Sequence, residues 1–176
     1  MIVAGFGGQG VILAGKILAQ AGMDEGMEVT WLPSYGPEMR GGTANCTIVL
    51  SDEPVGSPVV DEPTALIALN GPSLDRFEES LAPDGVVIVN NALVDRSVRR
   101  QDLVVCEASF NDLATRAGSP RALNMAALGA LVRLMGIMPL EAVRGAMTRM
   151  LTETGKERFV DANAKALQEG YDAAGR

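Results

Sequence analysis

Three glycines near the start of the chain stand at a spacing that can bind phosphate: Gly5-Phe6-Gly7-Gly8-Gln9-Gly10. In a G-x-G-x-x-G run placed after a strand, glycine lets the backbone turn tightly and approach an anion. The helix that follows then offers unpaired N–H groups and a positive dipole end. The chemistry on offer is a dinucleotide or phosphate contact; the alternative is glycines that only let the helix pack closely on the sheet. An NAD site also needs an acid at the end of the second strand, to hold the ribose hydroxyls. Here Glu28-Val29-Thr30-Trp31-Leu32 runs into Pro33-Ser34 with no acid there. A phosphate-loop lysine is missing too, because Gly15-Lys16 is followed by Ile17 inside the predicted helix.

The second unusual stretch is Ser34-Tyr35-Gly36-Pro37-Glu38-Met39-Arg40-Gly41-Gly42-Thr43-Ala44-Asn45-Cys46. Core packing does not demand a Tyr, a Glu and an Arg among glycines and proline, whereas binding groups concentrate on such loops. Arg40 can fork onto a carboxylate or phosphate, or pair locally with Glu38 and fix the loop. The candidate cofactor-contacting residues are therefore Gly5, Gly7, Gly8, Gln9 and Gly10, with Ser34, Tyr35, Gly36, Glu38, Arg40, Gly41 and Gly42. No residue is assigned a catalytic or metal-binding role.

What is absent narrows the chemistry. The chain has no histidine, which removes Ser-His and Cys-His pairs, histidine zinc sites and the usual general base near neutral pH. Its two cysteines, Cys46 and Cys106, are too few for an ordinary iron–sulfur cluster and form no disulfide framework, so a reducing cytoplasm is expected. Cys46 reads as a small buried hydrophobe. Fifteen basic against twenty-two acidic residues argue against nucleic-acid binding. Arg96, Arg99 and Arg100 read as a solvated face or a docking patch for an acidic partner, and Asp61-Glu62 and Glu78-Glu79 as solvated charges. No targeting segment or membrane span is expected: the apolar stretch 122–138 is interrupted by Asn124, Arg133 and glycines, and reads as a buried helix.

The elements that must position these loops follow from periodicity. Met1–Phe6 reads as a buried strand and Val11–Met23 as a helix with Ala14, Ile17, Leu18 and Ala21 on one face. Further strands are predicted over 28–32, 43–51, 64–69, 85–89 and 103–106, with a short helix over 73–81 capped by Ser73 and a loop over 33–42. Asp84-Gly85 and Asn90-Asn91 read as turns flanking the strand between them. After Ser119-Pro120, helices are predicted over 122–135, from Pro139 to Leu151, and over 156–174, with methionines at 125, 135, 138, 147 and 150 as core filler. The pattern specifies an α/β domain over residues 1–176. It has a mostly parallel sheet with flanking helices, a Rossmann-like first β-α unit and a helical C-terminal part.

Taken in order, the 5–10 and 34–42 motifs resemble the gamma subunit of 2-oxoacid:ferredoxin oxidoreductases. The likeness extends to Asn124 with Leu128-Gly129-Ala130, and to Asn163-Ala164-Lys165-Ala166 before Gly170. The Glu-Met-Arg-Gly-Gly-Thr-Ala-Asn-Cys form is most similar to the 2-oxoglutarate and 2-oxoisovalerate types, with 2-oxoglutarate favoured. The resemblance implies a subunit of a thiamine-diphosphate enzyme that oxidatively decarboxylates a 2-oxoacid to an acyl-CoA and passes electrons to ferredoxin. Thiamine diphosphate, magnesium and the iron–sulfur clusters would be held by alpha, beta and ferredoxin-like partner subunits. This chain would lie near the coenzyme A route and be inactive alone. The alternative from the glycine motif is a free-standing nucleotide-binding module or small NAD-dependent dehydrogenase.

Overall fold

The computed structural model of the protein describes residues 1–35 and 42–175, with Tyr35 described as backbone. Strand β1 (Ile2–Phe6) leads to helix α1 (Val11–Asp24), then strands β2 (Glu28–Tyr35), β3 (Thr43–Ser51) and β4 (Ala65–Ala68). Helix α2 (Gly71–Phe77), strands β5 (Val86–Asn90) and β6 (Val104–Ala108), and helix α3 (Phe110–Arg116) follow. Helices α4 (Leu123–Met135), α5 (Leu140–Glu153) and α6 (Val160–Ala173) complete the chain.

The strands form one sheet in the order β2-β3-β1-β4-β5-β6. Neighbours β1, β4, β5 and β6 are parallel, whereas β3 runs antiparallel to both β1 and β2. The sheet is thus mostly parallel, as expected. Every residue of β4 and β5 is buried because helices or loops cover both faces, which is why these strands read as continuous apolar runs. The period of two sends Val3, Ile67 and Ile88 to the face packed by α1 and the C-terminal helices. It sends Ile2, Leu66 and Val87 to the opposite face, beneath Leu74, Leu81 and Val94.

Several local expectations change. Strand β2 continues past Leu32 through Pro33, Ser34 and Tyr35, because β3 pairs it as far as Tyr35 opposite Ala44. Pro33 is tolerated there since β2 is an edge strand. Helix α2 begins earlier than expected: Asn70, not Ser73, is its N-cap, and the Asn70 Oδ1 accepts the Ser73 N–H at 2.9 Å. Helix α3 escaped the periodicity reading because it is only seven residues long. Ser109 caps it, accepting the Asp112 N–H.

The largest correction concerns charge. Glu78 is not a solvated carboxylate but is 1% exposed. It accepts the N–H groups of Arg99 and Arg100 and lies 2.8 Å from the Arg96 guanidinium, which also reaches Asp75 at 2.7 Å. Arg100 bonds Asp102 and the Leu81 carbonyl. Arg96 and Arg100 are therefore committed to holding the 91–103 segment over the sheet, and Arg99 alone of the three stays largely exposed. Burial pushes the Glu78 carboxyl up, but the two backbone donors and Arg96 outweigh it and hold it below its ordinary value.

Helices α4 and α6 approach each other backbone to backbone. A Cβ on Gly170 would overlap the Ala126 carbonyl, and one on Gly129 would overlap the Leu167 carbonyl. The two backbones touch because both glycines lack side chains. This gives a physical reason for the glycines of the C-terminal pattern, and α4 is buried along most of its length as expected.

Gly170→Ala should force α6 off α4 and lower stability by about 3 kcal/mol, measurable by urea unfolding of the full chain. Unchanged stability would contradict the backbone contact. Glu78→Gln should cost about 3 kcal/mol at neutral pH, because Arg96 and two N–H donors lose their anion. The carboxyl is held low in the folded state, so its contribution is present above the unfolded-state value. It is lost as pH falls through the folded value, and the wild-type and variant unfolding curves should converge in acid.

Candidate functional site

The glycine loop occupies the turn between β1 and α1, as its composition demands. Gly10 adopts φ 76° as the N-cap of α1 and has no side chain to cap the helix itself. The first intrahelical bond runs from Ala14 N–H to the Gly10 carbonyl at 2.9 Å, so the N–H groups of Val11, Ile12 and Leu13 lack helix acceptors.

Register decides what stands beside this loop. Gly5 pairs with Ala44 and Ala44 with Tyr35, which places the last residues of β2 and the first of β3 at the carboxyl end of β1. The Gly7 N–H donates to the Gly42 carbonyl at 2.8 Å, a direct bond between the two motif-bearing loops. Between them lies a cavity of about 560 Å³. Phe6, Gly7, Gly8 and Gly10 form one wall, Val11, Ile12, Leu13 and Lys16 of α1 the second, and Gly42, Thr43 and Ala44 the third. Its walls are mainly apolar, and Lys16, Thr43 and the glycine-loop backbone are the lining elements that carry polar groups. Such a mixture suits an organic ligand carrying negative charge.

Of the candidate residues, Gly7, Gly8, Gly10 and Gly42 line the cavity. Gly5 lies beneath it as a buried strand residue, and Ser34 is exposed on β2 opposite Asn45. Gly36, Glu38, Arg40 and Gly41, with the side chain of Tyr35, lie outside the described residues. Gln9 points elsewhere: its Oε1 accepts the Phe6 N–H at 2.5 Å and its Nε2 donates to the Leu69 carbonyl at 3.3 Å. Leu69 directly follows β4, so Gln9 bridges the carboxyl ends of β1 and β4. That crevice is the switch point at which a parallel α/β sheet ordinarily takes a dinucleotide. The cavity opens instead on the β3 side.

Sequence reasoning missed Lys16 as a cavity residue, although its place two turns into α1 after a glycine loop was a usable signal. Asn90 was misread as a turn residue. It is fully buried at the end of β5, where its Oδ1 accepts the Phe110 N–H at 3.1 Å and its Nδ2 donates to Asn111 at 2.9 Å. This bond ties β5 to α3. Asp84, by contrast, does adopt a turn conformation at φ 59°.

Among the described residues no group of three or more His, Cys, Asp or Glu side chains is placed to hold a metal ion. Cys46 on β3 and Cys106 on β6 are free and lie near opposite edges of the sheet, so they do not fit a shared cluster. Cys46 is fully buried, donates to the Val11 carbonyl, and is pushed up to about 11 by burial. No helix among the described residues is long and apolar enough to cross a membrane.

Comparison with known proteins bears on this geometry. The family model described as pyruvate ferredoxin/flavodoxin oxidoreductase matches residues 1–173. Ketoisovalerate oxidoreductase subunit VorA of Methanothermobacter marburgensis is 43% identical over 174 residues, covering 98% of this chain and 36% of that protein. The chain thus spans about a third of the length of the VorA relatives it matches. 2-Oxoglutarate synthase subunit KorC of Methanocaldococcus jannaschii is 34% identical over 175 residues, covering 98% of this chain and 91% of that protein. The crystal structure of the gamma subunit of keto/oxoacid ferredoxin oxidoreductase from Geobacter sulfurreducens PCA has a TM-score of 0.80 at 32% identity. It covers 98% of this chain and 96% of that one.

The burial of Cys46 yields a direct test. In the native chain at pH 8 a small alkylating reagent should leave Cys46 unmodified while labelling half-exposed Cys106 slowly, and both thiols should react in denaturant. Mass spectrometry of the labelled peptides reads the difference; rapid native labelling of Cys46 would contradict its placement.

Proposed function

The chain belongs to the pyruvate ferredoxin/flavodoxin oxidoreductase family, and from that premise we propose that it works as the gamma subunit of a 2-oxoacid:ferredoxin oxidoreductase. In this reading the complete enzyme decarboxylates a 2-oxoacid oxidatively, forms an acyl-CoA and delivers electrons to ferredoxin. Thiamine diphosphate with its magnesium ion, when bound in a partner subunit, supplies the carbanion chemistry, and iron–sulfur clusters in partner subunits carry the electrons. The described residues of this chain do not fit either group, so no step of the reaction is assigned to it.

The chain's own contribution is a shaped surface. The carrying observation is the bond between Gly7 and Gly42, which joins the glycine loop and the 34–42 segment at one cavity. We assign that cavity and the 36–41 segment to the boundary with the catalytic subunits and to the path of coenzyme A. The N–H groups at the start of α1 and Lys16 suit phosphate, and the apolar wall suits a pantetheine arm or adenine. Tyr35, Glu38 and Arg40 would complete the site. The identity of 43% to a ketoisovalerate oxidoreductase subunit, against 34% to a 2-oxoglutarate synthase subunit, supports the branched-chain member of the pair of substrates considered. The substrate pocket itself is assigned to the partner subunits.

A tagged chain purified from its native host should bring down a thiamine-diphosphate-binding subunit and a cluster-bearing subunit. The complex should oxidise 2-oxoisovalerate, and 2-oxoglutarate assayed in parallel decides between the two substrates. Recovery of the chain alone would overturn the reading. In the assembled enzyme, Arg40→Ala should raise the apparent KM for coenzyme A roughly tenfold, the scale of one lost charge-assisted hydrogen bond. Weakened assembly with unchanged KM would make the segment an interface element only.

A further inference from the structure

Helix α4 reaches the glycine loop through one side chain. Asn124 lies in its first turn, is 3% exposed, and donates its Nδ2 to the Gly10 carbonyl at 3.0 Å across 114 residues of sequence. That carbonyl also accepts the Ala14 N–H that starts α1, so it has two donors and both of its acceptor positions are used. Gly10 and Asn124 interlock sterically as well: a Cβ on Gly10 would run into the Asn124 amide, and its φ of 76° disfavours any side chain. Nothing else in α4 donates a hydrogen bond to the loop among the described contacts.

We infer that Asn124 is a positioning residue for the cavity: it holds Gly10 and the first turn of α1 in the pose that shapes the ligand wall. Two alternatives on the loop side are already committed elsewhere. Gln9 is engaged with Phe6 and Leu69, and Gly7 with Gly42, so neither sets the left-handed turn at Gly10. The position of α4 is itself dictated from behind, because Gly129 and Gly170 allow only one depth of contact with α6. A path of close contacts therefore runs from α6 through α4 to Gly10, and its last link is a single hydrogen bond. The inference concerns the pose of the loop; its effect on coenzyme A rests on the functional reading above.

Asn124→Asp removes the donor and keeps the shape. Hydrogen exchange of the full-length chain, compared with wild type at the same neutral pH, should be faster by on the order of tenfold at the Ala14 amide, which donates to the Gly10 carbonyl. The amides of α5 should exchange as in wild type. In the assembled oxidoreductase the same variant should raise the apparent KM for coenzyme A several-fold while kcat and the KM for the 2-oxoacid stay near wild type. Wild-type protection at the Ala14 amide in the variant would overturn the inference, as would uniform loosening of all helices, which marks a merely structural residue. A loosened Ala14 amide with an unchanged coenzyme A KM would uphold the positioning and overturn the coenzyme A reading of the cavity. Should the variant fail to fold, the wild-type protein still decides: the Asn124 side-chain amide protons should be protected and show cross-relaxation to Gly10, and rapid exchange would overturn the inference.

Discussion

Two glycines that let α4 and α6 touch backbone to backbone determine where much of this protein sits. The Gly129–Leu167 and Gly170–Ala126 contacts leave no room for a side chain, so the spacing between the helices is set by peptide groups rather than by adaptable side chains. Helix α4 then lies directly on β4 and β5, and α3, α5 and α6 pack around it to close one layer over the sheet. The aliphatic, aromatic-poor composition is consistent with this arrangement, since small residues are what close backbone approach requires. Methionines on these helices fill the irregular remaining space, with Met125 and Met147 fully buried.

The same constraint propagates to the mouth of the site. Helix α4 carries Asn124 to Gly10, and Gly10 caps α1, whose first residues line the cavity. On the far side, the antiparallel strand β3 brings Gly42 and Thr43 to the same place, because its pairing with β1 ends at Phe6 opposite Thr43. The site is therefore a product of one irregularity in the sheet. A wholly parallel arrangement would put a crossover connection beside β1; a single reversed strand puts the paired ends of β2 and β3 there instead. Gln9 closes the neighbouring β1–β4 crevice, so the opening on the β3 side becomes the accessible cavity.

Much of the architecture was legible because it rests on local rules. Strands β1, β4 and β5 announce themselves as apolar runs, α1 by its period, and α4 by an apolar stretch too short and too interrupted for a membrane. Expectations failed where partners distant in sequence override local character. Pro33 reads as a breaker, yet β3 extends β2 through it because the edge of a sheet does not need its N–H. Glu78 reads as solvent-facing, yet Arg96 and the Arg99 and Arg100 amides bury it from about twenty residues away. Asn90 reads as a turn and instead ties β5 to α3.

The sequence by itself determined the kind of participant this chain is. A protein without histidine and with two separated cysteines has few ligands for a cluster or a metal, and its two glycine-bearing loops are the stretches whose composition core packing does not explain. Side-chain inventory and motif order are properties of the chain, so no folding is needed to read them. Only the tertiary structure decided how the loops combine: that Gly7 bonds Gly42, that Gln9 faces the β1–β4 crevice rather than the cavity, that Lys16 enters it, and that Asn124 holds Gly10. Those facts depend on register between strands and on the depth at which helices pack. Both are set by contacts between residues far apart in the chain, which local periodicity does not encode.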